Sequence, residues 1–214
     1  MAYSTQQLRI PFSHISSDGR TDKLQILLSA TGTLDSAAQW AHLPRSPFTL
    51  PAYIVDRDGT VLQLFSPDYY SHYPALSDSA DTRIIAIALA NAGPLYRLGN
   101  RCYLVAYDEH NMPVADTAHP VRTLYEYCTC APYRGFGYYE MFPDAQLRSL
   151  RPLLAYLLRR FAISHSYDIA YGDLTPRLRR NIPGIYLNSG YAANRLDPHP
   201  QPELLKILKN LSSL

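Results

Sequence analysis

Histidine and cysteine are the side chains best suited to acid–base, nucleophilic or metal chemistry near neutral pH, and this chain has seven histidines and three cysteines. No two histidines stand at i, i+4 or in an H-x-x-H pattern, so no helix face presents a ready metal site. His72, His165 (in Ser164-His165-Ser166-Tyr167) and His199 meet only if tertiary folding assembles them; otherwise they are surface or hydrogen-bonded histidines. Cys128 and Cys130 are two residues apart and share a face if they lie on a strand, as a metal pair or as two small buried hydrophobes. Ser29 with His72 would make a nucleophile and base, but no third orienting group and no G-x-S-x-G elbow accompanies them. Asn91 closes an apolar run, where its amide either reads a peptide carbonyl or serves the turn Ala92-Gly93-Pro94. Arg177, Arg179 and Arg180 form a basic loop, read as solvated surface or as a contact for an acidic partner.

The elements that must position these residues are clearest at Ala52–Phe65, AYIVDRDGTVLQLF. A two-residue period on both sides of Asp58-Gly59 predicts a hairpin, with a two-residue primed turn in which glycine supplies positive φ. Tyr53, Val55, Val61, Gln63 and Phe65 fall on one side and Ile54, Leu62 and Leu64 on the other, so the hairpin is expected to be central and buried on both faces. Leu24–Leu28 and Ile84–Leu89 are continuous apolar runs that read as buried strands. Asp35 is placed to cap a short helix carrying Ala37, Ala38 and Trp40, and Pro44, Pro47 and Pro51 hold the loop that follows. Ser66–Asp81 reads as irregular. Tyr103–Ala106 and Leu124–Cys128 read as a strand pair joined by a long polar connection through Asn111-Met112-Pro113. Asp144–Ile163 has leucines at helical spacing and arginines over much of the rest, with Asp144 as cap and a kink expected at Pro152. Pro202–Leu211 reads as a short amphipathic helix that docks on the body.

At 214 residues and 47% hydrophobic, the chain suits one domain, with residues 1–22 as an N-terminal arm and 23–214 as the folded body. The expected fold class is α/β, a central mixed β-sheet flanked by α-helices. Twenty basic against eighteen acidic residues leave a formal charge of +2, too balanced to argue for a nucleic acid or a membrane surface. No run reaches a transmembrane length, and the start MAYSTQQLRIPF lacks the basic and apolar regions of a secretory signal, so the expected location is cytoplasmic unless another device carries the chain out. Eighteen tyrosines, some clustered as Tyr69-Tyr70 and Tyr138-Tyr139, suit a binding groove as well as a core.

The order of strand, capped helix, DRDG hairpin, apolar strand ending in asparagine and leucine helix resembles the type 2 N-acetylmuramoyl-L-alanine amidases and the peptidoglycan-recognition proteins. YIVDRDGTVLQLF, TRIIAIALAN, FPDAQLRSLRPLLAYLLRRFAI and LDPHPQPELLKIL carry it, over roughly residues 23–211. The resemblance implies a zinc ion held by two histidines and a cysteine or aspartate, whose bound water attacks the lactyl amide. The matching positions depart from that pattern. The first histidine falls in Leu27-Leu28-Ser29-Ala30-Thr31, and the second at Tyr171 of Ala170-Tyr171-Gly172-Asp173-Leu174. The third ligand falls near Asp197-Pro198-His199, the catalytic tyrosine at Pro51 or Ala52, and the strand glutamate at Ala88. The expectation is therefore a degenerate amidase without zinc. It would bind a peptidoglycan fragment or a peptide in the former groove through His72, Asn91, Tyr171 and Thr31, with no nucleic-acid or membrane partner. The alternatives are a protein-interaction module on the same fold, and an active amidase with relocated ligands; for location, the resemblance adds phage-like release to the cell wall as the alternative to the cytoplasm.

Overall fold

The hairpin of residues 52–65 lies inside a seven-stranded sheet. The computed structural model describes residues 5–7, 22–42, 50–71, 81–121, 126–133, 135–168, 180–187 and 200–211. In chain order the strands are β1 (Thr5–Gln7), β2 (Gln25–Ala30), β3 (Tyr53–Val55), β4 (Val61–Gln63), β5 (Ile84–Leu89) and β6 (Pro94–Leu98). There follow β7 (Arg101–Tyr107), β8 (Pro113–Val121), β9 (Glu126–Tyr133), β10 (Phe136–Glu140), β11 (Tyr167–Asp168) and β12 (Gly184–Leu187). Among the described residues the helices are α1 (Ala37–His42), α2 (Asp144–Phe161) and α3 (Pro202–Leu211). None of the described helices is long and apolar enough to cross a membrane.

The large sheet runs β1-β4-β3-β5-β2-β12-β11, parallel throughout except for the β3–β4 hairpin. Its inner strands β2, β3, β5 and β12 are buried at every position, as continuous apolar runs require when both faces are covered. Register and alternation put Leu28, Ile87, Leu89, Tyr53 and Val55 on one face, and Leu27, Ser29, Ala86, Ala88, Ile54 and Tyr186 on the other. The buried leucines of α2, from Leu147 to Leu158, join Leu204, Leu208 and Leu211 of α3 in the same core.

The hairpin turn differs from the two-residue form. Asp56 N–H donates to the Thr60 carbonyl and Gly59 N–H to the Asp56 carbonyl, so the loop is Arg57-Asp58-Gly59, with Gly59 at φ +89°. A three-residue loop ending in a left-handed glycine is the next commonest solution after the primed turns. The helix caps also differ. Ser36, rather than Asp35, caps α1: its hydroxyl accepts from Gln39 N–H at 3.3 Å, and Gln39 Oε1 accepts from Ser36 N–H at 3.0 Å, a reciprocal capping box. Asp144 is the first helical residue of α2, whose cap Pro143 makes no side-chain bond; the carboxylate there faces the positive end of the helix dipole. The helix continues as one element through Pro152.

A second sheet of five antiparallel strands, β8-β7-β6-β10-β9, follows β5 in the chain. The pairing expected between Tyr103–Ala106 and Leu124–Cys128 is not made. β7 pairs with β6 and β8, so most of the supposed polar connection is itself a strand, and β9 pairs with β10. The N-terminal arm likewise supplies β1, a parallel edge strand beside β4. The proline loop 43–49 lies outside the described residues.

Candidate functional site

The C-terminal ends of β2, β3 and β5 meet the start of α2 and the end of β10, and a buried polar network fills this junction. Thr31 and Asn91 hold each other. The Thr31 hydroxyl accepts from Asn91 N–H at 3.1 Å and donates to the Asn91 carbonyl at 3.3 Å. The Asn91 amide donates to the Glu140 carbonyl at 3.2 Å, and its oxygen accepts from Gly93 N–H at 2.8 Å. Both residues are almost wholly buried. The Asn91 side-chain amide is thus engaged through both its nitrogen and its oxygen.

Glu140 is the charged centre of the network. Its side chain is 1% exposed and receives the Arg57 guanidinium at two points, Nε to Oε1 at 2.6 Å and Nη2 to Oε2 at 2.9 Å. Its Oε2 also accepts from Ala92 N–H. The remaining Arg57 protons go to the carbonyls of Thr33 at 2.9 Å, Asp35 at 3.0 Å and Leu34 at 3.4 Å. One arginine in the hairpin loop thus ties the β2–α1 segment to β10. Asp56 adds a second tie, accepting from Ala37 N–H at 2.9 Å. Gln146, fully buried on the first turn of α2, donates to the Val55 carbonyl at 2.8 Å and the Ala90 carbonyl at 3.1 Å. Gln201 closes the network, donating to the Glu140 carbonyl at 2.8 Å and accepting from Phe142 N–H at 3.1 Å. Sequence reasoning missed Arg57, Glu140, Gln146 and Gln201. The only signals were an arginine inside the DRDG loop and the DAQ start of α2.

The resemblance puts zinc chemistry at the end of β2, within Leu27–Thr31, and at Ala88 of β5. Leu27 is 1% exposed, Leu28, Ser29 and Ala88 are fully buried, and Pro51 and Ala52 are buried beside them. β2 is bordered by β12, which pairs Leu187 with Leu28, and by β5; residues 170–174 lie outside the described residues. Zinc needs three or four converging imidazole, thiolate or carboxylate donors. Among the described residues no group of three such side chains converges, and the end of β2 offers only aliphatic and hydroxyl groups. The described residues do not fit a zinc ion. His72, Tyr171, Asp197 and His199 lie outside the described residues, as do Arg177 and Arg179. His165 has a structural partner, its Nδ1 lying 2.7 Å from the Leu211 carbonyl at the end of α3. Ser29 and Cys102 are buried, and of Cys128 and Cys130 only the backbone in β9 is described.

At the opposite end of the sheet, Lys23 is 2% exposed and donates to the Thr82 carbonyl at 2.7 Å. Burial lowers its pKa from 10.5 to about 8, against an opposing pull from the Asp68 carboxylate. Asp68 in turn pairs with Arg160 at 2.6 Å.

The sequence model of a family described as N-acetylmuramoyl-L-alanine amidase matches residues 21–200. No curated protein matches. Among solved structures, the hydrolase AmiA of Staphylococcus aureus, in complex with its ligand, aligns at a TM-score of 0.52 and 10% identity, over 99% of this chain and 83% of its own. The E. coli amidase AmiD, in complex with the substrate anhydro-N-acetylmuramic acid-L-Ala-D-γ-Glu-L-Lys, aligns at 0.47 and 13%, over 81% of this chain; the match spans 63% of AmiD. A selenomethionine derivative of AmpD aligns at 0.45 and 14%, over 99% of both chains. AmiA shares the α/β fold described above. With a family match over most of its length, the chain belongs to the N-acetylmuramoyl-L-alanine amidase family.

Proposed function

We propose that this chain is an amidase-fold protein that does not hydrolyse the muramoyl amide, holds no zinc, and acts by binding a peptidoglycan fragment or a related peptide. The observation that carries the first part is the sheet face of Leu27, Ser29 and Ala88, closed to solvent and without donors for a metal. Among the described residues, none on that face would hold or orient a zinc-bound water. Family membership supports the choice of ligand, and the AmiD complex shows such a fragment bound to that relative. His72 and Tyr171 remain the residues assigned to the groove.

A second reading, a protein-docking body on the same fold, is favoured by the closure of the junction: Thr31 and Asn91 are engaged with each other and with Glu140 rather than facing outward. Co-sedimentation with isolated peptidoglycan sacculi, with soluble peptides assayed in the same tube, tests both. Retention without release supports the binding reading, and loss of retention in Tyr171→Ala places binding in the groove. Release of peptide overturns the loss of catalysis. Absence of retention at moderate salt leaves the docking body.

A further inference from the structure

The second sheet leaves part of one face apolar and open. Leu95, Cys102 and Val121 are buried on one side of it, with Leu104 and Tyr138 packed against them. Register and alternation put Tyr96, Leu98, Tyr103, Val105 and Tyr107 on the other side. Tyr96 pairs with Tyr103, Leu98 pairs with Arg101, and Val105 and Tyr107 continue the alternation along β7. Pro94 and Tyr139, paired at one end of this face, are buried, so the open part begins at Tyr96. An uncovered face of an antiparallel sheet ordinarily carries polar side chains. Here it carries aromatic and aliphatic ones, with Leu98 54% and Tyr107 58% exposed and Tyr96, Tyr103 and Val105 half-buried. The hydroxyls of Tyr138 and Tyr139 are held, by an Arg97 N–H at 2.6 Å and by the Tyr133 carbonyl. Those of Tyr96, Tyr103 and Tyr107 have no hydrogen-bond partner among the described residues.

We propose that this face packs against the same face of a second copy of the chain, making a two-fold dimer. Charge decides the arrangement. Along β7 the face begins at Arg101, exposed and in no ion pair among the described residues. It ends at Tyr107, beside the exposed acids Asp108 and Glu109. The turn that carries these acids is held by the Asp108 carboxylate, which accepts from the N–H groups of His110 and Met112 at 2.9 Å each. A two-fold axis lying between the sheets and across the strands sets Arg101 of each copy against Tyr107, Asp108 and Glu109 of the other, with Tyr103 over Val105 midway. Each guanidinium then meets carboxylates and an aromatic ring. An axis along the strands would set Arg101 on Arg101 and acid on acid, a like-charge contact that disfavours association. Area supports the same occupant. With tyrosine side chains of about 150–250 Å² each, the open apolar part is on the order of 400 Å². Its charged ends bring it to the order of 800 Å², the share of one partner in a standard interface. The acidic end opposes an anionic bilayer, and a single arginine is too few for a nucleic acid.

The test is sedimentation equilibrium of the intact chain over a wide concentration range. The expected result is a monomer–dimer equilibrium, with the dimer at twice the 24.2 kDa of the chain. Leu98→Asp with Tyr107→Asp, both at exposed positions, weakens dimerisation at least about tenfold by burying unpaired carboxylates, with the circular dichroism of the parent retained. Arg101→Glu and Glu109→Arg each weaken it, and the two together restore it, because the exchange keeps opposite charges facing each other. Ile182→Asp, at an exposed apolar position off this face, leaves it unchanged. The proposal is overturned by a chain that stays monomeric at the highest concentration reached, or by assembly beyond the dimer. It is equally overturned by a folded Leu98→Asp, Tyr107→Asp variant that dimerises as the parent does, or by a charge exchange whose losses add. A monomeric parent whose retention on peptidoglycan sacculi is lost in that variant would assign the face to a wall ligand instead.

Discussion

The Arg57 guanidinium and the Glu140 carboxylate, 83 residues apart in the chain, meet in a two-point ion pair with Nε 2.6 Å from Oε1 and Nη2 2.9 Å from Oε2. Arg57 also reaches the carbonyls that precede α1, and Glu140 also receives Ala92 N–H. The pair joins the hairpin loop, the segment after β2, the end of β5 and the second sheet in one place.

Removing one partner leaves the other buried and uncompensated, which costs about 3–5 kcal/mol in comparable pairs. Arg57→Ala and Glu140→Ala are each expected to lower stability by about that amount in urea unfolding. The double variant should be less destabilised than the sum of the two. Additive losses would show that the two groups do not act as a pair.

Gly59→Ala tests the close approach of the hairpin to α2. Gly59 sits at φ +89°, and a Cβ there would lie 2.7 Å from the Ala145 carbonyl oxygen and 2.9 Å from Ser149 Oγ. The left-handed backbone and the backbone contact both oppose a side chain, so a loss of more than about 1 kcal/mol is expected. An unchanged urea midpoint would contradict that packing.

Asn91→Ala separates a structural amide from a ligand-reading one. Loss of its bonds to Glu140 and Gly93 predicts destabilisation of about 1–3 kcal/mol. Retention on sacculi, measured on the folded fraction, should stay as in the parent. Loss of retention with stability intact would return Asn91 to the groove.

Lys23 predicts a pH dependence with a definite sign. Its pKa is about 8 in the folded chain and the usual 10.5 once unfolded. Between those values the unfolded chain binds more protons, so stability rises with pH from about 8 to 10.5 and is flat on either side as far as this group is concerned. Lys23→Met should remove that increment. Urea midpoints of the parent and the variant across this range give the comparison, and parallel profiles would exclude Lys23 as the source.

Zinc should leave the protein as it is. Thermal midpoints with added zinc and with a chelator are expected to coincide, and the purified protein should carry less than one equivalent of zinc. A rise in the midpoint with zinc would point to donors outside the described residues.

What could be read directly were the elements whose signal is local. Apolar runs at Ile84–Leu89 and the leucine period of Asp144–Phe161 report burial by themselves, because a fully covered strand or a core-facing helix must carry such side chains. The DRDG hairpin was equally legible in position. Its loop form was not, since Gly59 serves a two-residue and a three-residue turn alike. The second sheet was missed because Pro113–Val121, PVADTAHPV, is too polar and proline-rich to announce a strand. Its pairing with β7 comes from neighbours rather than from an apolar period.

The candidate site divides in the same way. The family, the missing histidine near Leu27–Thr31 and the alanine at position 88 follow from residue order alone. That Ser29 and Ala88 share one closed sheet face, that Asn91 turns its amide inward to Glu140, and that Arg57 finds its carboxylate 83 residues away were decided only by tertiary structure. The physical reason is that residue type sets what a side chain can bond to, whereas strand register, loop form and burial set what it meets. A polar group removed from water takes whichever partner the packing brings within reach.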